Sequence, residues 1–200
     1  MTRIKFCGLR TVDDINAVNQ LLPEYVGFVF APKSKRRVTV DVAEKLRGLL
    51  STKIQAVGVF VNENFQTVGE LLNAGIIDAA QLHGDESEDY IRRLRTVTDK
   101  PIIKAFRVDT LADTSADFVL IDAGAGDGRT FDWRRVTNFG REFFLAGGLT
   151  VDNVGAAIEL LHPFAVDVSS GIETDGRKDF GKMTAFANVV RNVAKKGRHG

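Results

Sequence analysis

One cysteine, Cys7, in a chain of 200 residues excludes an internal disulfide framework and an all-cysteine metal site, and it fits a reducing compartment. No apolar run approaches the roughly 18 residues of a spanning helix, and the first residues, Met-Thr-Arg-Ile-Lys-Phe-Cys, lack the apolar stretch of a secretory signal. The expected location is cytoplasmic. Net charge is nearly absent too: 27 Lys plus Arg against 26 Asp plus Glu leave +1, which argues against a dedicated nucleic-acid or anionic-membrane surface. Any basic site is therefore local. Proline is scarce, with four residues, whereas nineteen glycines exceed the usual share of about 7% and point to glycine-built loops.

What is present is an alternation that runs from end to end. Short runs rich in Val, Ile and Phe occupy 3–7, 25–30, 54–61, 79–83, 101–106, 117–122, 142–146 and 165–169. Helical spacing of apolar residues falls between them at 12–22, 40–50, 64–75, 87–97, 132–139, 151–161 and 179–195, with only a short turn near 109–114. Thr11 with Asp14, and Asp85 with Glu88, place a cap and a carboxylate three residues apart at two helix starts. Eight units in 200 residues leave about 25 each, enough for a strand, a helix and two short loops. The expected architecture is α/β: a single (β/α)8 TIM barrel over 1–200 with a short or missing fifth helix and a flexible tail at 195–200. An open parallel sheet is the alternative.

In a barrel of this kind chemistry sits at the C-terminal strand ends. Those ends carry Cys7-Gly8, the 31–37 loop, Asn62, His83-Gly84, Arg107, Asp122, Gly147-Gly148 and Ser169-Ser170-Gly171. Strand alternation turns Ile4 and Phe6 toward the helices and Lys5 and Cys7 inward. The same parity brings Asp167 and Ser169 inward, so that Lys5 and Asp167 could pair; Gln81, His83, Lys104, Leu120 and Asp122 extend the inward set. The glycine turns after strands seven and eight suit a phosphate, because glycine lets backbone N–H groups approach an anion closely. The plainer reading is two tight turns. Cys7 is either a buried inert thiol or a base; near pKa 8.5 only about 3% is thiolate at pH 7, so a base role calls for a neighbouring cation or helix N-terminus. Asp122 is either a cap or, in apolar surroundings, a general acid. In the basic run 33–37, an arginine suits a substrate carboxylate; the alternative is a solvated or nucleic-acid-binding patch. His83 is a substrate contact or a structural histidine.

Seven segments in order resemble the phosphoribosylanthranilate isomerase family of tryptophan biosynthesis across nearly the whole chain. They are Lys5-Phe6-Cys7-Gly8-Leu9, Val26 to Phe30 with Lys33 to Arg36, Val57 to Asn62, Gln81 to Gly84, Gly126 to Trp133, Ala146 to Leu149, and Pro163 to Glu173. The resemblance implies an Amadori rearrangement of a phosphoribosyl anthranilate without cofactor or metal. It implies Asp122 as general acid and Cys7 as general base. Gly148, Ser170 and Gly171 would hold the phosphate by backbone donors and Arg36 the anthranilate carboxylate; Gly147, Ser169 and His83 complete the expected substrate-binding set. The expected partner is an anionic small molecule with no nucleic acid or membrane, and the chain is a monomer or homodimer. Asp127 departs from the family's usual Ser or Thr in its glycine loop. Competing expectations are the related barrel isomerase of histidine biosynthesis, a bifunctional form, and a non-catalytic phosphate-binding barrel. Cys7 at the end of strand one and the absence of a half-to-half repeat argue against the first two.

Overall fold

The computed structural model describes residues 1–123, 136 and 140–196. Eight parallel strands close into a barrel in sequence order: β1 (Arg3–Cys7), β2 (Tyr25–Val29), β3 (Gln55–Phe60), β4 (Ala79–Leu82), β5 (Ile102–Arg107), β6 (Phe118–Asp122), β7 (Phe143–Ala146) and β8 (Ala165–Val168). Closure is made by β1 against β8, with Lys5 in register with Asp167. Helices α1 (Val12–Leu21), α2 (Val40–Leu49), α3 (Phe65–Asn73), α4 (Glu88–Arg95), α5 (Val154–Leu161) and α6 (Phe180–Lys196) surround it. Only a three-residue turn, Val108–Thr110, follows β5, because about ten residues separate the fifth and sixth strands. The expected loop 126–128 with Asp127, most of the expected helix 132–139, and 197–200 of the tail lie outside the described residues; Val136 is buried, and residues 195 and 196 still belong to α6.

Capping follows the sequence at α1, where Thr11 and Asp14 form a reciprocal box: Asp14 N donates to Thr11 Oγ1 at 3.1 Å and Thr11 N to Asp14 Oδ2 at 3.0 Å. At α4 the expectation is corrected. Ser87, not Asp85, caps the helix by accepting from Tyr90 N, while Asp85 N donates to Asn62 Oδ1 in the loop before it.

Two apolar layers follow from strand parity. Ile4 and Phe6 face outward as expected and join Ile15, Val26, Phe28 and Phe186 under the helices, Phe6 meeting Phe186 edge-on with ring centroids 6.2 Å apart. Inside the barrel lie Val57, Ala79, Ile103, Ala105, Leu120, Phe144, Ala146 and Ala165. Tyr25, Phe118 and Phe164 pack against this layer, and the Arg3 guanidinium lies 4.0 Å over the Phe164 ring. Since Ile103 and Ala105 take the inward positions of β5, Lys104 points the other way, correcting its expected place in the inward set. Above the apolar layer the interior turns polar: Lys5 is fully buried and donates to Asp167 Oδ2 at 2.7 Å and Gln81 Oε1 at 2.9 Å.

Removing one member of a buried ion pair leaves the other charge without compensation. Asp167→Leu is expected to lower the unfolding free energy by about 3–5 kcal/mol, and Lys5→Met with Asp167→Leu to recover most of it. Urea unfolding of both variants tests this; equal losses would show that pairing is not the source.

Candidate active site at the barrel mouth

Cys7 ends β1 with its side chain turned into the barrel, where it packs with Val29 and Val59. The neighbouring strand makes room for it at Gly27, since a Cβ there would stand 2.6 Å from Cys7 Sγ. Across the mouth Asp122 ends β6, and His83, just past β4, brings Nε2 to 3.4 Å from Asp122 Oδ2. A cavity of about 200 Å3 is lined by Cys7, Gln81, His83 and Asp122 on one side and Gly147, Gly148, Ser169 and Ser170 on the other. A second, of about 590 Å3, shares His83 and Asp122 and extends toward Glu86, Lys104, Phe106 and Arg107. Thiol, imidazole and carboxyl thus share one chamber with both glycine-bearing turns.

The two turns touch. A Cβ on Gly171 would lie 1.9 Å from the Leu149 carbonyl oxygen, so only glycine lets the loop after β8 close onto the loop after β7. Gly147 and Gly148 both have positive φ, and among the described residues no hydrogen bond engages their backbone N–H groups. Exposed amides at glycine turns are the ordinary means of holding an anion.

Electrostatics around Cys7 run against the lowered thiol that a base role calls for. Burial pushes the thiol above its ordinary value of 9.0; Lys5 and Lys178 pull it back and Asp167 adds to the rise. Cations of the kind a base role calls for are present, yet desolvation outweighs them. Asp167 Oδ1, on the same cavity wall, is buried without a hydrogen-bond partner among the described residues.

Arg36 stands outside both cavity linings. Its Nε and one terminal nitrogen bind Glu173 at 2.7 and 2.6 Å as a bidentate pair, and its stem covers Gly8. Lys178 meets the same carboxylate at 2.8 Å and donates to the Ser169 carbonyl at 2.9 Å. Lys178 escapes a reading of strand ends because it returns on a small hairpin, β9 (Glu173–Thr174) and β10 (Arg177–Lys178). Its signal was nonetheless there: Asp175-Gly176, both at positive φ, is the dipeptide of a two-residue type I′ turn.

A further buried pair sits behind His83. Glu86 accepts from Asn62 N at 2.7 Å and Gly84 N at 2.9 Å, and Lys104 donates to Glu86 Oε2 at 3.0 Å and to the Gly84 carbonyl at 2.7 Å. This clamp ties the loops after β3 and β4 together and explains why Lys104 and Glu86 are buried though charged.

Residues 4–189 match the family model described as N-(5'-phosphoribosyl)anthranilate (PRA) isomerase. A relative of that name from Endomicrobium trichonymphae is 43% identical over 201 residues, spanning 96% of this chain and all of its own. Among solved structures, TrpF from Jonesia denitrificans superposes with a TM-score of 0.88 at 31% identity, covering 97% of this chain and 98% of its own. A phosphoribosyl anthranilate isomerase in complex with reduced 1-(o-carboxyphenylamino)-1-deoxyribulose 5-phosphate superposes at 0.83 and 31% identity, over 96% of this chain and all of its own.

Arg36 and Lys178 hold the Glu173 carboxyl at about 2 against its ordinary 4.5. A lowered carboxyl pKa stabilises the fold fully above the unfolded value and loses that contribution as pH falls through the folded one. The stability gap between the parent and Glu173→Gln should therefore be constant above about pH 5 and close between 4.5 and about 2. Urea titrations at fixed pH measure it, and a gap that persists at the acid end would contradict the assignment.

Proposed function

Because the chain belongs to the N-(5'-phosphoribosyl)anthranilate isomerase family, we propose that it converts N-(5'-phosphoribosyl)anthranilate to 1-(2-carboxyphenylamino)-1-deoxyribulose 5-phosphate, with Asp122 as general acid and Cys7 as general base. The observation that carries this assignment is one chamber with a thiol and a carboxyl on its walls and two touching glycine turns at its side. Phosphate at Gly147, Gly148, Ser169, Ser170 and Gly171 anchors one end of the substrate. Arg36 takes the anthranilate carboxylate at the other, its guanidinium oriented by Glu173. Anchoring both ends holds the sugar carbons between acid and base, the main source of advantage in an intramolecular rearrangement.

The electron flow is closed. Asp122 gives its proton to the furanose ring oxygen as the C1–O bond breaks, and the nitrogen lone pair forms the C1=N iminium. The Cys7 thiolate then removes the C2 proton; the C–H pair becomes the C1=C2 bond and the iminium pair returns to nitrogen. The resulting enolamine takes a proton at C1 and loses its O2 proton to become the ketone. A raised thiol pKa is compatible with this role, because the positive nitrogen acidifies the C2 proton and a small thiolate fraction, favoured by Lys5 and Lys178, suffices. A free thiol at the reacting centre also fits the reducing cytoplasm, to which we assign the reaction.

Turnover of phosphoribosylanthranilate, followed by loss of anthranilate fluorescence, tests the reaction. Cys7→Ala and Asp122→Asn should each lower kcat by roughly 10²–10⁴ while keeping the fold; retained turnover in either folded variant overturns that residue's role. Arg36→Ala should raise KM with a smaller effect on kcat, the mark of binding lost from ground and transition states alike.

A further inference from the structure

Gln81 joins the two sides of the barrel mouth. Its Oε1 accepts from Lys5 Nζ at 2.9 Å, and its Nε2 lies 2.8 Å from His83 Nδ1. The orientation of this amide follows from donor and acceptor inventory. An ammonium has only hydrogens to offer, so the Gln81 atom that faces Lys5 is the oxygen and the atom that faces His83 is the nitrogen. Lys5 cannot turn elsewhere, since it is fully buried and held by Asp167 Oδ2 at 2.7 Å. Gln81 Nε2 in turn presents only hydrogens, so Nδ1 must receive with its lone pair, and the neutral imidazole carries its proton on Nε2. That nitrogen is the one 3.4 Å from Asp122 Oδ2.

We propose that Gln81, oriented by Lys5, is a positioning residue that holds His83 as the Nε2–H tautomer and so sets a hydrogen, not a lone pair, on the ring nitrogen nearest the Asp122 carboxyl. A hydrogen on that nitrogen is one that a carboxyl oxygen of Asp122 can accept, whereas a lone pair there would face the carboxyl oxygens acceptor to acceptor. A ring turned to the opposite tautomer would set Nδ1–H against the amide hydrogens of Gln81, donor against donor, in a pocket where Gln81 is almost wholly buried. The catalytic consequence rests on Asp122 as general acid; the tautomer does not.

The test is ¹⁵N NMR of histidine-labelled protein at pH 8, above the ordinary imidazole pKa of about 6.5. Of the three histidines, His83 is identified by the signal lost in His83→Asn. The parent should show a bare Nδ1 and a protonated Nε2, and a protonated Nδ1 in the folded parent overturns the proposal. Gln81→Glu offers a carboxylate, which only accepts, and should bring a proton onto Nδ1. Should that variant not fold, Gln81→Met removes the donor and should leave an average of both tautomers. A His83 spectrum unchanged in a folded Gln81 variant also overturns it. The same variants should lose roughly tenfold in kcat with KM within about twofold, part of what a positioned acid supplies; a change confined to KM would instead make Gln81 a binding-wall residue. A parent with the expected tautomer but no turnover would remove the isomerase assignment and leave the tautomer standing.

Discussion

A lysine ammonium with no access to water must find its acceptors inside the barrel, and much of the mouth is arranged around that demand. Lys5 has zero exposure and takes Asp167 from β8 and Gln81 from β4. Its bond to Asp167 spans the seam where the first strand meets the last, so the same contact that satisfies the charge also registers barrel closure. The bond to Gln81 sends a second consequence across the interior, orienting the amide that meets His83. Cys7, two residues along β1, lies in the field of the same ammonium, which counters part of what burial does to its thiol. A buried pair of this sort contributes little net stability against an apolar replacement. Its worth here is geometric: it holds the polar side chains of three strands in one arrangement.

The site is assembled from charges that are already paired. Arg36 and Lys178 converge on Glu173, and Lys178 also binds the Ser169 carbonyl beside the glycine turn. Lys104 and Glu86 perform a similar service beneath His83, where Glu86 gathers the amides of Asn62 and Gly84. Each pair ties a loop that bears a site residue to a neighbouring strand or hairpin. Loops held in this way keep donors in place before a ligand arrives, which lowers the ordering cost of binding.

The contact between Gly171 and Leu149 shows how steric rather than polar chemistry joins two loops. With no side chain at 171, the turn after β8 lies directly on the backbone of the turn after β7. Two glycine turns that are separate in sequence thus become one surface, with Gly147 and Gly148 lining the cavity. At the opposite side Gly27 plays the same part for the Cys7 sulfur.

Strand and helix alternation, the missing fifth helix, and the inward parity that pairs Lys5 with Asp167 were legible in the chain alone, because period-two and period-3.6 patterns are local properties. So was the gathering of Cys7, His83, Asp122 and the two glycine turns, since a closed parallel barrel brings strand ends together whatever the details of the loops. The facing of Lys104 was decided by tertiary structure: Ile103 and Ala105 claim the interior, and a buried Glu86 waits outside for the ammonium. The engagement of Arg36 by Glu173, 137 positions away, was likewise beyond any local pattern. The direction of the Cys7 pKa was decided there as well, because desolvation depends on how many neighbours surround the sulfur and not on which cations stand near it in sequence. Sequence by itself determined which groups stand at the mouth; only the closed barrel decided how each is buried, paired and aimed, since those properties depend on contacts between residues far apart in the chain.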